Sequence, residues 1–165
     1  MIDADTLESP EDHLEELGRR FAKALALREK GDDAGARPLF EEILRNEPRL
    51  AEPRLELAHI HLLADRFSEA GEHARLAVAT LRAGGQWTED IEPKALLSFA
   101  VNLLGETIVR ELEEGEVFLT DREAFVQRWN EASRTFEEAL EIDAGNVDAA
   151  RNRTRFRPIA EGEDA

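Results

Sequence analysis

The fold is decided by residues 55–78, which read LELAHIHLLADRFSEAGEHARLAV. Apolar residues recur at helical spacing on both sides of a short turn, so this stretch predicts two helices folded back on each other. Ala58 and Ala70 fall where the two helices must approach closely, because small side chains suit such a contact. A single helix pair cannot bury its apolar face alone, so we expect neighbouring pairs to stack on it.

The same pattern occurs thirty-four residues earlier in the chain, which is a period typical of two-helix repeats. A third unit follows, and its Glu92-Pro93 repeats the Glu52-Pro53 that opens the second unit. This third unit contains twenty-two additional residues, and they continue the helical pattern. The pairs separated by the period are Ala24 and Ala58, Leu27 and His61, Ala36 and Ala70, and Ile43 and Ala77.

Local signals predict where the helices begin and end. Ser9 precedes a proline and two carboxylates, which predicts a helix from Pro10 to about Lys30 that ends at Gly31. The added residues of the third unit predict one long helix over 93–114 and a capping box at residues 120–123 that begins its partner. Further helix starts are predicted at Asp32 or Asp33, for a helix reaching about Asn46, and at Asn146, for a last helix reaching toward Phe156.

This pattern resembles the tetratricopeptide repeat family. The resemblance implies an all-α fold, a right-handed superhelical solenoid of about three helical hairpins plus a C-terminal capping helix, with the third hairpin elongated. The expected organisation is a disordered N-terminus over 1–8, a helical domain over 9–157 and a disordered acidic tail over 158–165. The residues that carry the resemblance are Phe21, Ala24, Gly31, Ala36, Phe40 and Pro48 in one unit, and Leu55, Ala58, Phe67, Ala70 and Ala77 in the next.

The resemblance also implies a function, that of a non-enzymatic adaptor or scaffold that binds another protein. In the family, the first helix of each unit lines a concave groove that holds the partner. The alternative is a dedicated chaperone that shields a client protein, because the small acidic chaperones of type III secretion are similar to three such repeats. The positions that correspond to the groove are mainly apolar: Phe21, Leu25, Arg28, Leu55, His59, Leu62, Ala95, Phe99 and Asn102.

The tip of the long hairpin is a second candidate contact. Acidic side chains at the end of a helix oppose its dipole, so a basic partner there would relieve them, and the alternative is a solvated helix end. The apolar run beside them either contacts a partner or folds back on Phe125. The predicted tip residues are Glu113, Glu114, Glu116, Val117, Phe118 and Leu119.

The charge of the chain restricts its partners. With 37 acidic and 21 basic residues among 165, the net charge is −16, which favours a basic or amphipathic protein segment and disfavours a nucleic-acid backbone. The arginines at 151, 153, 155 and 157 form a basic cluster, which either complements the end of the last helix or contacts an acidic partner or RNA.

Motifs of catalysis and metal binding are missing from the sequence. There is no cysteine, no HExxH and no glycine-rich phosphate loop, and His59 and His61 point to different faces of one helix. We therefore predict no enzymatic activity, no cofactor and no metal. The acidic start lacks the apolar run of a signal peptide, and no stretch is apolar enough to cross a bilayer, so the expected location is the cytoplasm. Eighteen arginines against three lysines favour a bacterial source, and the oligomeric state stays open.

Overall fold

The computed structural model describes residues 9–115 and 120–160, and this part of the chain is helical with no strand. It divides into two units, Met1–Arg49 and Leu50–Ala165. The predicted all-α class is therefore confirmed for the described residues. The helices are α1 (Pro10–Glu29), α2 (Asp33–Asn46), α3 (Glu52–Leu63), α4 (Phe67–Arg82), α5 (Pro93–Glu114), α6 (Arg122–Ile142) and α7 (Val147–Arg155).

The first unit consists of α1 packed against α2. The Ser9 side chain caps α1 by accepting a hydrogen bond from the Asp12 N–H at 3.1 Å, as predicted. Gly31 has φ of +82°, a left-handed conformation that favours glycine, and the Asp32 side chain caps α2 through the Gly35 N–H. The tight turn between the two helices thus follows from residues that the sequence identifies.

Aromatic and ionic contacts hold these two helices together. The Phe21 ring meets the buried Phe40 ring edge to face, with centroids 5.6 Å apart. Arg20 of α1 donates to Glu42 of α2 at 2.9 Å and also contacts Glu16. Hydrogen bonding and charge from Arg19, reinforced by Arg20, lower the pKa of the Glu16 carboxyl.

In the second unit, each helix from α3 to α7 packs against the next one in the chain. The helix α5 additionally contacts α3 and α7, and Arg82 of α4 forms an ion pair with Glu138 of α6. The core of this unit contains residues from all five helices, and the alanines of the repeat pattern, including Ala58, Ala70 and Ala77, are fully buried in it.

A second apolar cluster lies where α5, α6 and the end of α7 meet. Phe136 is fully buried and stacks on Phe156 with centroids 5.7 Å apart, and Trp129 meets the same Phe156 ring edge to face. The Trp129 Nε1–H donates to the Arg157 carbonyl at 2.7 Å. Trp129 is therefore a packing residue of this cluster.

The connector between α4 and α5 is fixed by a buried carboxylate. Glu52, only 5% exposed, accepts hydrogen bonds from the backbone N–H groups of Trp87 at 2.9 Å and Thr88 at 2.5 Å. The Gln86 side chain donates to the carbonyl groups of Thr88 and Ile91. These bonds bring the connector against the start of α3.

A polar link joins α5, α6 and the start of α7. The fully buried Ser98 hydroxyl donates to the Ala139 carbonyl at 2.7 Å and accepts from Asn146 Nδ2 at 2.9 Å. The Oδ1 atom of the same Asn146 caps α7 by accepting from the Ala149 N–H. The predicted capping residue thus also connects α7 to the preceding hairpin.

Two boundaries differ in detail from the sequence predictions. The predicted capping box spans residues 120–123. In the structure its second residue, Asp121, caps α6, and the Asp121 side chain accepts a hydrogen bond from the Ala124 N–H. At the other end, Ile159 exchanges two hydrogen bonds with the Asn130 side chain, so ordered contacts continue past residue 157. Of the segments predicted to be disordered, 1–8 and the part of 158–165 that begins at residue 161 lie outside the described residues.

Candidate functional site

The second unit contains a cleft of about 410 Å³ along α5, which we call the α5 cleft. The end of α3 and the helix α7 border it. Its lining combines apolar, acidic and basic side chains. The lining residues are Leu62, Glu106, Val109, Arg110, Glu113, Glu114, Asn152, Arg155 and Phe156.

The apolar part of the cleft is a surface of core residues. Leu62, Val109 and Phe156 are each less than a tenth exposed, so they offer the cleft only one face of their side chains. The Arg155 guanidinium lies 5.1 Å from the centre of the Phe156 ring, where a cation is attracted by the ring face. This floor is held in place by the packing behind it.

A hydrogen-bonded amide pair orients Glu106, one of the carboxylates that line the cleft. Asn152 Nδ2 donates at 3.0 Å both to Asn102 Oδ1 and to Glu106 Oε1. Asn102 Nδ2 donates to the same Glu106 oxygen at 3.2 Å. Because Asn102 is only 4% exposed, this network fixes α7 against α5 and presents Glu106 in one orientation.

Arg110 connects the cleft to the turn between α3 and α4. Its Nη2 atom lies 3.2 Å from Asp65 Oδ1, and its guanidinium lies 5.6 Å from the centre of the Phe67 ring. Asp65 itself has φ of +59° within that turn. The Arg110 charge is thus already engaged by side chains of this unit.

Two further carboxylates at the edge of the cleft are not neutralised in this way. Glu113 and Glu114 lie at the end of α5, and neither forms an ion pair with any residue in the described ranges. Carboxylates at a helix C-terminus oppose the helix dipole, at a cost of about 0.3–1 kcal/mol each when exposed. The edge of the cleft therefore carries negative charge that a basic group would stabilise.

The predicted groove residues of the second unit occupy different environments. Leu55 and Leu62 are core residues, buried to 4% and 5%, so apart from the face that Leu62 shows to the cleft they cannot form an open groove. Phe99 is 46% exposed and Ala95 and His59 are half-buried, so these three positions remain accessible. Asn102 is buried in the amide network.

In the first unit, the predicted groove residues Phe21, Leu25 and Arg28 are all half-buried. Phe21 packs on Phe40, and Arg28 Nε lies 3.1 Å from Asp33 Oδ1. Phe21 and Arg28 therefore help to hold α1 against α2, and any contact with a partner would be made by their exposed fraction.

The predicted hairpin tip is described only in part. Glu113 and Glu114 lie on the last turn of α5 and line the cleft. Glu116, Val117, Phe118 and Leu119 lie outside the described residues. Glu113 and Glu114 of the predicted tip thus line the cleft, and the groove position Asn102 bonds to its lining residues Glu106 and Asn152.

The sequence pattern did not single out Glu106, Arg110 or Asn152, and it indicated Arg155 only as a member of the basic cluster at 151–157. A signal for the first two was present, because Glu106 and Arg110 continue the line of Ala95, Phe99 and Asn102 along α5 at intervals of three to four residues. Asn152 and Arg155 reach the cleft through the packing of α7 on α6 and α5, which a helical pattern alone does not define.

Two of the four histidines form a stacked pair, and neither lines this cleft. The His61 and His73 rings are parallel within 8°, with centroids 5.5 Å apart, and Arg66 Nε donates to His61 Nδ1 at 2.8 Å. Within residues 9–115 and 120–160, there is no group of three or more histidine, aspartate or glutamate residues that could hold a metal ion.

No protein-family model matches the chain, and no curated protein matches it. Among the described helices, none is both long and apolar enough to span a membrane.

Proposed function

We propose that this protein is a non-enzymatic protein-interaction module of the tetratricopeptide type, which binds a basic or amphipathic segment of a partner protein in the α5 cleft. The observation that carries the proposal is the combination of an apolar floor with the carboxylates of Glu113 and Glu114, which lack ion pairs within the described residues. An apolar side chain of the partner would cover the floor, and a lysine or arginine beside it would neutralise the edge.

The arrangement of helices in the second unit supports this assignment. The helix α5 contacts both α3 and α7. In the tetratricopeptide pattern, α3 corresponds to the first helix of the preceding repeat, and α7 corresponds to the capping helix. The first helices of such repeats line the surface that binds the partner. The cleft lies along these three helices, and all of its lining residues come from them or from Phe156, the residue that follows α7.

The fixed geometry of the cleft favours binding. Glu106 is oriented by Asn102 and Asn152, so its side chain loses little conformational freedom when a partner arrives. Pre-organised groups increase affinity because less ordering free energy is lost on association.

Affinity purification of the tagged full-length protein, followed by mass spectrometry, would identify the partner. The dissociation constant of that partner is then measured for Glu113→Gln/Glu114→Gln and for the control Glu111→Gln. Glu111 lies on the same turn of α5, is exposed and does not line the cleft. We expect the double variant to weaken binding by about tenfold, with a reduced salt dependence, and the control to stay within about twofold.

Equal affinities for wild type and the double variant would exclude the cleft edge as the binding site. If Phe99→Ala lowered the affinity and the glutamate substitutions did not change it, the partner would instead bind the exposed N-terminal part of α5.

A further inference from the structure

A second cleft, of about 350 Å³, lies between α6 and α7 and shares no lining residue with the first. Most of its polar side chains are basic or hydroxylic. The lining residues are Ser133, Arg134, Glu137, Arg153, Thr154, Arg157 and Pro158.

The charge balance of this cleft is opposite to that of the chain. Three guanidinium groups face a single carboxylate, although acidic residues outnumber basic ones by 37 to 21 in the whole sequence. Arg153 lies 3.8 Å from Glu137, which is a long ion pair. Arg134 and Arg157 are exposed and form no ion pair with any of the residues that the structure describes.

The segment that follows α7 and carries Arg157 is held against α6 by hydrogen bonds. The Arg157 carbonyl accepts a hydrogen bond from the Trp129 indole N–H at 2.7 Å. Two residues later, Ile159 accepts from Asn130 Nδ2 at 2.9 Å and donates its N–H to Asn130 Oδ1 at 2.7 Å. The backbone of residues 157–159 is therefore held against α6, which places Arg157 at the edge of the cleft that Arg134 and Arg153 also line.

The chemistry of the arginines restricts the ligand. Guanidinium groups form paired hydrogen bonds with carboxylate or phosphate oxygens. A long polyanion such as RNA would meet the repulsion of a chain with net charge −16, whereas a short acidic segment brings few charges and can use the cleft alone. Charge complementarity therefore favours carboxylates.

We propose that this second cleft, which we call the arginine cleft, binds an acidic peptide segment of a second partner protein. Glutamate or aspartate carboxylates of that segment would pair with the guanidinium groups of Arg134 and Arg157. The protein would then bring a basic segment at the α5 cleft and an acidic segment at the arginine cleft onto one helical unit.

The test uses the full-length protein and a short labelled peptide of alternating glutamate and glycine, with binding followed by fluorescence anisotropy at low and high salt. Parallel titrations use an oligothymidylate, inorganic phosphate and a lysine-glycine peptide. The variant is Arg134→Gln/Arg157→Gln. The control is Arg128→Gln/Arg151→Gln, which removes the same charge from α6 and α7 but outside the cleft, at residues paired with Glu131 and Asp148.

The acidic peptide should bind in a salt-dependent way, and the cleft variant should weaken it about tenfold or more. The affinity of the control variant for the acidic peptide should remain within about twofold of wild type. Glu113→Gln/Glu114→Gln should not weaken acidic-peptide binding at all, and this result separates the proposal from the one for the α5 cleft. The proposal is overturned by absence of acidic-peptide binding, by equal losses in the two arginine pairs, or by tighter binding of the oligonucleotide than of the peptide. Circular dichroism of each variant confirms that the helices are retained.

Discussion

Gly105 of α5 and Phe136 of α6 are so close that a Cβ atom on residue 105 would lie 2.6 Å from Phe136 Cε1. Carbon atoms in favourable contact are about 3.5–4.0 Å apart, and the Phe136 ring is fully buried against Phe156. We expect Gly105→Ala to lower the free energy of unfolding by about 1–3 kcal/mol through overpacking. Alanine gains about 1 kcal/mol over glycine within a helix, so the net destabilisation should be about 0–2 kcal/mol.

The matched control is Gly71→Ala, because a Cβ atom on this buried helical glycine would meet only ordinary contacts, the nearest being Thr107 Oγ1 at 3.6 Å. This variant should equal or exceed the wild type in stability. Urea denaturation of the two variants, followed by circular dichroism, measures the difference, and a stabilised Gly105→Ala would show that the two helices can separate at low cost.

The sequence predicts the helix boundaries well because the signals that set them are local. Ser9, Gly31 and Asn146 act at the helix ends where the sequence places them, and α5 spans the predicted 93–114. These residues satisfy or terminate the backbone hydrogen bonds of their own helix, so no knowledge of the neighbouring helices is needed.

The sequence could not assign the faces of α3. This helix buries residues on almost every side, from Glu52 and Leu55 to Leu57, Ile60 and Leu62, so its apolar pattern does not distinguish core from groove. The amide network around Glu106 and the Gly105–Phe136 contact also depend on residues far apart in the chain. Such contacts form only after the helices pack, and the helical periodicity of the sequence does not define them.

Glu52→Gln should destabilise the second unit. Glu52 Oε2 accepts from the N–H groups of Trp87 and Thr88, and Oε1 also accepts from the Trp87 N–H at 3.1 Å, so an amide in either orientation would direct its NH₂ group at one of these donors. Loss of a buried, charge-assisted bond of this kind costs about 1–3 kcal/mol.

Urea denaturation measures this change, and hydrogen exchange should show faster exchange of the Trp87 and Thr88 amides. The control Glu141→Gln alters an exposed carboxylate of α6 and should change stability by less than about 0.5 kcal/mol. Unaltered protection of both amides in Glu52→Gln would mean that the connector does not depend on the carboxylate.

Asn146 has two separable roles, and two substitutions distinguish them. Asn146→Ala removes both the cap of α7 and the bond to Ser98, and should cost about 1–2 kcal/mol. Asn146→Asp keeps an acceptor for the Ala149 N–H but loses the donor to Ser98, so its cost should be smaller.

Combining each substitution with Ser98→Ala completes a double-mutant cycle measured by denaturation. The coupling free energy with Ser98 should be similar for the two Asn146 variants, because both remove the same donor. A coupling energy near zero would show that only the cap of α7 contributes to stability.

Phe21 and Phe40 allow packing and partner binding to be separated in the first unit. Their edge-to-face contact contributes about 0.5–1.5 kcal/mol beyond burial, so both Phe21→Leu and Phe40→Leu should accelerate hydrogen exchange in α1 and α2. Phe40 is fully buried and Phe21 is half-buried, so Phe40→Leu should have the larger effect on stability. If Phe21 also contacts a partner, Phe21→Leu should weaken that complex more than Phe40→Leu does, although it affects stability less. If Phe40→Leu has the larger effect on both stability and binding, Phe21 serves packing alone.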